Sequence, residues 1–469
     1  PHMPVHLGAM GESVKTIIDE NNQRMKPGDV FLMNNPHRGG SHLPDLTVIS
    51  PVFSNGQAPI FFVASRGHHS DIGGITPGSM PPFGKSIQDE GVIINNFKLV
   101  SEGKFRSFEL IELLSSGDFP ARNIPERIAD AKAQVAAVQK GIVETEKLIK
   151  KYGLKTVHAY MNYIRSNASK SVRRALFKYL DGKEKMELSF EDFLDSGESI
   201  LVKIIIESGD KPPDSCRAIV DFTGTSSQLE GNLNAPLAVT KAAVLYVFRL
   251  MIDEDIPLNS GCLDPIQIIV PKGCLLRPDH LAAVVGGNVE TSQRITDVLL
   301  GALGLSGASQ GTMNNFLFGK LDGSGKQYYE TIAGGSGASD GNHGESAVQV
   351  HMTNTLATDP EILEFRYPEI RLERFSIRKA SGGSGKFKGG NGTIREIRFL
   401  KKRKISILSE RRKYQPYGMA GGGFGKAGKN SLIKASGKKV LLKGKVEKIV
   451  KSGDRIIIET PGGGGYGVK

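Results

Sequence analysis

The chain has 469 residues, a formal net charge of +12, 57 glycines, no tryptophan and three cysteines, a length that on its own suggests about three domain-sized units with a sizeable core. Cys216, Cys262 and Cys274 fall in no CxxC spacing, which excludes a disulfide framework and a thiolate metal site and fits a reducing compartment. The longest apolar stretch, Ala242 to Phe248, stops at Arg249, short of a membrane span, and nothing resembles a signal peptide, so a soluble, cytoplasmic protein with no membrane partner is expected.

In chain order, Pro1-His2-Met3 is as compatible with a cloning scar as with native sequence, and His2 is set aside as a ligand. Residues 28 to 65 alternate short apolar runs with turn residues, which predicts strands from Asp29 to Met33, Leu46 to Val52 and Ile60 to Ala64. Six of the ten histidines lie in the first 69 residues, and two clusters set imidazole beside carboxylate: Gly39-Gly40-Ser41-His42-Leu43-Pro44-Asp45 and Arg66-Gly67-His68-His69-Ser70-Asp71-Ile72-Gly73-Gly74. Pro44 disfavours a helix for the residues before it, so His42 and Asp45 would converge through a turn. A carboxylate between two neutral imidazoles holds a divalent ion and leaves positions for water and substrate. His68 is the candidate second imidazole; His69 points to the opposite face if the strand continues. Capping and turn hydrogen bonding by the same residues is the alternative, and spacing alone leaves both open.

Residues 116 to 185 read as a helical hairpin, from Pro125 to Lys151 and from Thr156 to Leu180, split by Gly153. Strands are predicted from Ser199 to Glu207 and Arg217 to Phe222, and helices from Leu237 to Met251 and Thr291 to Leu303. Before the last helix, the turn from Val285 to Arg294, which includes Asn288, exposes amides for an anionic carboxylate, with Arg294 as a charged fork. An ordinary helix cap fits it equally. His343 and His351 read as structural, the cysteines as inert, and the absence of a Gly-x-Ser-x-Gly elbow leaves a serine triad without support.

Beyond residue 370 the pattern is almost wholly β with glycine turns, ending in Pro461-Gly462-Gly463-Gly464-Gly465-Tyr466-Gly467. Residues 371 to 450 hold 23 Lys/Arg against four Glu, a net +19, while the remainder is −7. No nucleic-acid-binding motif accompanies this charge, so a solvated sheet face or an acidic protein partner is expected and nucleic acid is not. Gly423 to Lys429 approximates a P-loop, but Asn430 replaces the Ser/Thr, no strand precedes it and no helix follows. The expected fold is α+β: glycine-rich mixed sheets, a helical hairpin insertion and a β-rich basic C-terminal part. The expected regions are a β-rich metal-site region (1–115), the hairpin (116–185), an α/β core (186–365) and the basic C-terminal region (366–469).

Beyond these readings, Asn34 to Asp45, Ser65 to Gly74, Pro77 to Pro81, Gly231 to Pro236, Val284 to Arg294, Ser309 to Asn315, Tyr328 to Thr331, His351 to Thr355 and the glycine-rich end resemble the hydantoinase B family over essentially the whole chain. Within it, Ser65 to Pro81 and Thr358 to Glu364 look most like the C-terminal half of ATP-dependent 5-oxoprolinase. The resemblance implies one module in which His42, Asp45 and His68 bind a divalent manganese, zinc or iron ion, while Asp71 and Glu90 orient ligands or serve as acid and base. It implies that a hydantoinase A-like half uses ATP to phosphorylate a lactam, so ATP is not bound here. This chain then completes the ring opening of 5-oxoproline to glutamate, with Arg66 or Arg294 clamping the substrate carboxylate and Asn288 beside it. It further implies a carboxylate ligand upstream of Pro4 to Gly8, hence an N-terminally incomplete module, and a homo- or hetero-oligomer. Hydrolysis of N-substituted hydantoins, an acetone-carboxylase-like subunit and a noncatalytic scaffold are the alternatives.

Overall fold

The computed structural model describes residues 3–21, 24–54 and 58–469, so His2 lies outside the described residues. Helix α1 (Pro4–Asn21) precedes strands β1 (Val30–Met33), β2 (Asp45–Phe53), β3 (Pro59–His68), β4 (Phe97–Ser101) and β5 (Lys104–Phe105). The strands form one antiparallel sheet of order β3-β2-β1-β4-β5. Val30, Leu32, Leu46 and Val48 pack with Leu110 and Leu114 of helix α2 (Ser107–Leu114) and with Ala131 and Val138 of α3 (Ile124–Tyr152). Phe31, Met33 and Ile49 face the other way and pack with Ile17 of α1. The two-residue period of a strand sorts the two sets, and burial on both faces is why β1 and β2 read as nearly continuous apolar runs.

Helix α4 (Leu154–Leu180) follows α3 after Gly153, whose φ of 80° lets the chain reverse. A second sheet contains β6 (Lys185–Phe193), β7 (Ser199–Glu207), β8 (Arg217–Asp221) and β9 (Ile266–Ile269), with only the β8–β9 pair parallel. Ile200, Val202, Ile204 and Ile206 of β7 share a core with Val172, Leu176 and Leu180 of α4, with helix α5 (Leu237–Leu250), and with Val298 and Leu299 of helix α6 (Ser292–Ala302). Helix α1 was not expected, because Gly8 and Gly11 weaken its helix propensity. The packing explains Gly8: a Cβ there would fall 2.4 Å from the Ala242 Cα of α5.

The remaining elements are β10 (Asn315–Gly319), β11 (Tyr328–Glu330), α7 (Pro360–Arg366), β12 (Ile370–Ile377), β13 (Thr393–Phe399), β14 (Arg403–Leu408), β15 (Lys429–Ile433), β16 (Lys439–Leu442), β17 (Lys445–Val450) and β18 (Arg455–Glu459). Sheets β11-β10-β14-β17 and β12-β13-β18-β15-β16 enclose one core built from residues such as Phe316, Ile405 and Ile407 of the first and Ile397, Phe399 and Ile456 of the second. Strands β10 and β11 thus join the C-terminal strands in one sandwich. Glycine-rich segments run beside one another, bonded through Gly463 N to Gly390 O (2.9 Å) and Gly335 N to Pro461 O (3.0 Å). A Cβ on Gly463 would come within 1.9 Å of Ser336 O, so this glycine serves close backbone approach. The P-loop-like segment runs into strand β15 rather than a helix. Some of the segment's basic side chains are paired with carboxylates, as in Arg395–Glu330 (2.9 Å), Arg403–Glu369 (2.7 Å), Lys404–Glu447 (2.8 Å) and Arg411–Asp192 (2.6 Å). Among the described residues no helix is long and apolar enough to cross a membrane.

Candidate metal centre

The β2–β3 register sets Asp45 opposite His68. Both project to the α1 side of the sheet, because Asp45 shares strand parity with Thr47 and Ile49. The turn ahead of β2, closed by the Asp45 N–H donating to His42 O (3.0 Å), returns the His42 ring to the same carboxylate. Asp45 Oδ2 lies 2.6 Å from His42 Nδ1 and 2.8 Å from His6 Nε2 of α1. It also accepts from Ser41 Oγ at 2.5 Å, while Oδ1 lies 3.1 Å from His68 Nδ1. The His42 and His68 rings stack with centroids 5.1 Å apart. Asp45 and His42 are buried, whereas the His68 side chain is 27% exposed, so access is from the His68 side.

Burial by itself would raise the Asp45 carboxyl, yet the His42 and His6 imidazoles hold it well below the usual carboxylate range. Burial lowers His42, opposed by Asp45, which favours a neutral ring able to offer a lone pair. His42 Nε2 is buried without a hydrogen-bond partner. Donor atoms of His42, Asp45 and His68 lie within 4.8 Å of one another. This nitrogen and oxygen set suits zinc, manganese or iron, and the residues fit a divalent ion.

The cluster opens into a cavity of about 290 Å³, walled by apolar Met3, Val5, Val289 and Met313 and by polar His6, Asn288, Tyr329, Thr331 and Thr353. A π-turn over Gly287–Thr291 brings Asn288 in: its Nδ2 lies 3.3 Å from His42 Nδ1, and its Oδ1 is buried and unpartnered. Gly287 permits this turn, since a Cβ there would fall 1.9 Å from Asn234 O. The Tyr329 ring packs 5.3 Å from that of His68. Its hydroxyl donates to Asn315 Oδ1 (2.9 Å), and Asn315 Nδ2 donates to Glu290 Oε1 (2.7 Å), which fixes the tyrosine as a wall. The Thr353 hydroxyl is buried without a partner.

The structure thus brings Asn288 to His42, Asp45 and His68, and does not bring four other residues expected at the site. Asp71 is filled as an acceptor by Gly73 N, Gly78 N, Arg122 N and Arg122 Nη1, each at 2.9 Å, and organises a glycine loop instead of facing the cavity. Glu90 Oε1 accepts from Val284 N (2.7 Å) and Val285 N (2.8 Å), pinning the chain ahead of the Asn288 turn. Arg66 lies behind the cluster, donating to Thr47 Oγ1 (2.7 Å), Ser13 Oγ (2.6 Å) and His6 O (3.3 Å), so it ties α1 to the sheet and has no fork to offer a carboxylate. Arg294 is wholly buried on α6, donating to Phe193 O beside Asp192 at 3.6 Å. Arg294 is not among the residues that line the cavity. His69 turns to the opposite face, as strand parity requires, and meets Gln134 Oε1 of α3 at 2.9 Å.

The position of Glu90 yields a pH prediction. Burial pushes its carboxyl up to about 8 from an ordinary 4.5. Between those values the folded state retains a proton that the unfolded chain has released. Its contribution to stability is therefore complete below the unfolded value and lost as pH rises through about 8. Melting temperature is expected to fall from pH 5 to 8.5, and Glu90→Gln, which keeps an oxygen for Val284 and Val285, should flatten that fall. An identical slope in wild type and variant rules this out.

Sequence reading missed His6, whose helix was unrecognised although the Pro4 to Gly8 element was noted. It also assigned no role to Tyr329 or Thr353, although both lie in segments quoted for the family resemblance. Over residues 1–469 the chain matches the model of the family described as hydantoinase B/oxoprolinase. It is 48% identical to 5-oxoprolinase 1 of Arabidopsis thaliana and 47% identical to 5-oxoprolinase of Dictyostelium discoideum, covering 100% of this chain but 38% and 36% of those proteins. The chain thus spans little more than a third of these curated relatives. The crystal structure of an ATP-dependent caprolactamase from Pseudomonas jessenii superposes with a TM-score of 0.85 at 24% identity, covering 99% of this chain and 82% of that one.

Proposed function

The chain belongs to the hydantoinase B/oxoprolinase family, and from that premise we propose that it carries out metal-dependent hydrolysis of an activated cyclic amide. The reaction is the ring-opening step from 5-oxoproline to glutamate, performed with a hydantoinase A-like region or subunit that spends ATP on activating the lactam. The observation that carries this reading is the convergence of three imidazoles on Asp45 at the end of a small-molecule-sized cavity. The small share of its oxoprolinase relatives that the chain covers supports a division of labour with an ATP-using part.

His42, Asp45 and His68 would hold the ion, with His6 beside them. When bound, a divalent ion supplies Lewis acidity toward a carbonyl and activates water near neutral pH. Asp45 would serve as the shared ligand, its carboxylate already in direct contact with the His42 and His68 rings. Asn288 Oδ1 and the Thr353 hydroxyl, both unpartnered and buried, are free to bond a polar group of the substrate. The apolar walls, Met3, Val289 and Met313, limit bulk water beside the reacting amide.

Elemental mass spectrometry on the purified chain is expected to find about one manganese, zinc or iron ion per molecule, lost in His42→Ala. A metal-free wild type, or full occupancy in His42→Ala, would overturn the ligand assignment. With the ATP-using part added, ATP-dependent glutamate release is expected; bicarbonate incorporation in its place would select the acetone-carboxylase-like reaction.

A further inference from the structure

We propose that a second cavity, adjoining the metal cavity, is a recognition subsite for a cyclic amide acid, in which Arg395 bonds the carboxylate and Gln349 the neighbouring N–H. This deepens, and rests on, the reading of the first cavity as a ring-opening centre. The second cavity is about 460 Å³ and shares Glu330, Thr331, Thr355 and Leu356 with the first as common wall.

Strand β13 presents Arg395, only 2% exposed, to this cavity. Its guanidinium forks onto Glu330, with Nε 3.2 Å from Oε1 and Nη2 2.9 Å from Oε2, and lies 4.6 Å from the centre of the Phe375 ring. Two nitrogens are thereby committed and the plane is fixed. The third, Nη1, is buried without a hydrogen-bond partner. On the same cavity, Gln349 donates Nε2 to Thr331 O and Thr331 Oγ1, both at 3.1 Å, which leaves its Oε1 buried and unpartnered.

A buried donor and a buried acceptor left unpaired are each costly, and here they belong to side chains on one cavity. A cationic donor and a neutral acceptor on one cavity complement a ligand that carries an anionic oxygen next to an N–H. A lactam with a carboxylate on the carbon beside its ring nitrogen supplies both groups. An unsubstituted lactam lacks the carboxylate, as does a hydantoin ring. The pair is therefore a specificity determinant that selects 5-oxoproline over uncharged cyclic amides.

The test is calorimetric titration of the full chain with L-5-oxoproline, with 2-pyrrolidinone, which has the N–H alone, and with cyclopentanecarboxylate, which has the carboxylate alone. L-5-oxoproline is expected to bind at least ~10-fold more tightly than either. Gln349→Leu and Arg395→Lys should each weaken it roughly 10- to 100-fold. Melting curves will show whether each variant is folded, and Gln349→Leu, which leaves the Arg395–Glu330 pair intact, decides the matter if Arg395→Lys is not. Equal affinity for L-5-oxoproline and 2-pyrrolidinone, or unchanged affinity in folded Gln349→Leu, would overturn the subsite. Asp45→Asn, which disables the metal centre, should retain L-5-oxoproline binding. The subsite therefore stands even where no ring opening is detected, and loss of binding in Asp45→Asn would overturn it in favour of carboxylate capture at the metal.

Discussion

Asp45→Asn is expected to lower ATP-dependent ring opening by about 10³-fold or more, equivalent to roughly 4 kcal/mol of transition-state stabilisation, while leaving the fold in place. The carboxylate is the point on which His6, His42, His68 and Ser41 all converge, so no neighbour can substitute for it. Asparagine has nearly the same shape but carries no charge. It turns an amide N–H₂ toward groups that the carboxylate accepts from, which disorders the imidazoles as well as removing a ligand. The measurement is glutamate release by the variant mixed with the ATP-using part, alongside its metal content and circular dichroism spectrum. Turnover within a few-fold of wild type would sink the proposed centre and favour a noncatalytic scaffold.

The largest stability effect is expected at Arg411, which lies in the core with its guanidinium 2.6 Å from Asp192 Oδ2 and 2.8 Å from Asp297 Oδ2. Removing one partner from a buried ionic network leaves uncompensated charge, which costs about 3–5 kcal/mol. Arg411→Met is therefore expected to lower the denaturant midpoint by that equivalent with little change in slope. Burial would raise Asp297, but His351 and Arg411 hold it below its ordinary 3.8. The stability it contributes is thus present above that value and lost as pH falls through its lower folded value. Asp297→Asn in the Arg411→Met background should recover part of the loss, because it discharges one of the stranded carboxylates. A loss below ~1 kcal/mol, or no recovery in the double variant, would show that the network carries little net stability.

Where side chains of one element answer to one neighbour, the sequence was sufficient. Strand β7 alternates buried and half-buried or exposed positions over the predicted Ser199–Glu207, and α3 and α4 break at Gly153 as the helical spacing requires. The glycine-rich C-terminal end serves close backbone approach, as Gly463 against Ser336 shows. Helix α1 was hidden because its reason for existing, Gly8 against Ala242, lies more than two hundred residues away.

Of the site, the sequence by itself determined the residues that strand parity and one proline turn bring together: His42, Asp45 and His68, with His69 directed to the other face. The period of an extended chain fixes these over short distances, whatever surrounds it. Only the tertiary structure decided that His6 joins them, that Tyr329 and Thr353 close the cavity, that Arg66 is taken up by other partners, and that Arg294 is buried on α6. A long polar side chain bonds whichever buried donor or acceptor the fold places near it, because leaving that group unpaired is costly, and that neighbour is set by packing between distant segments and not by the local pattern.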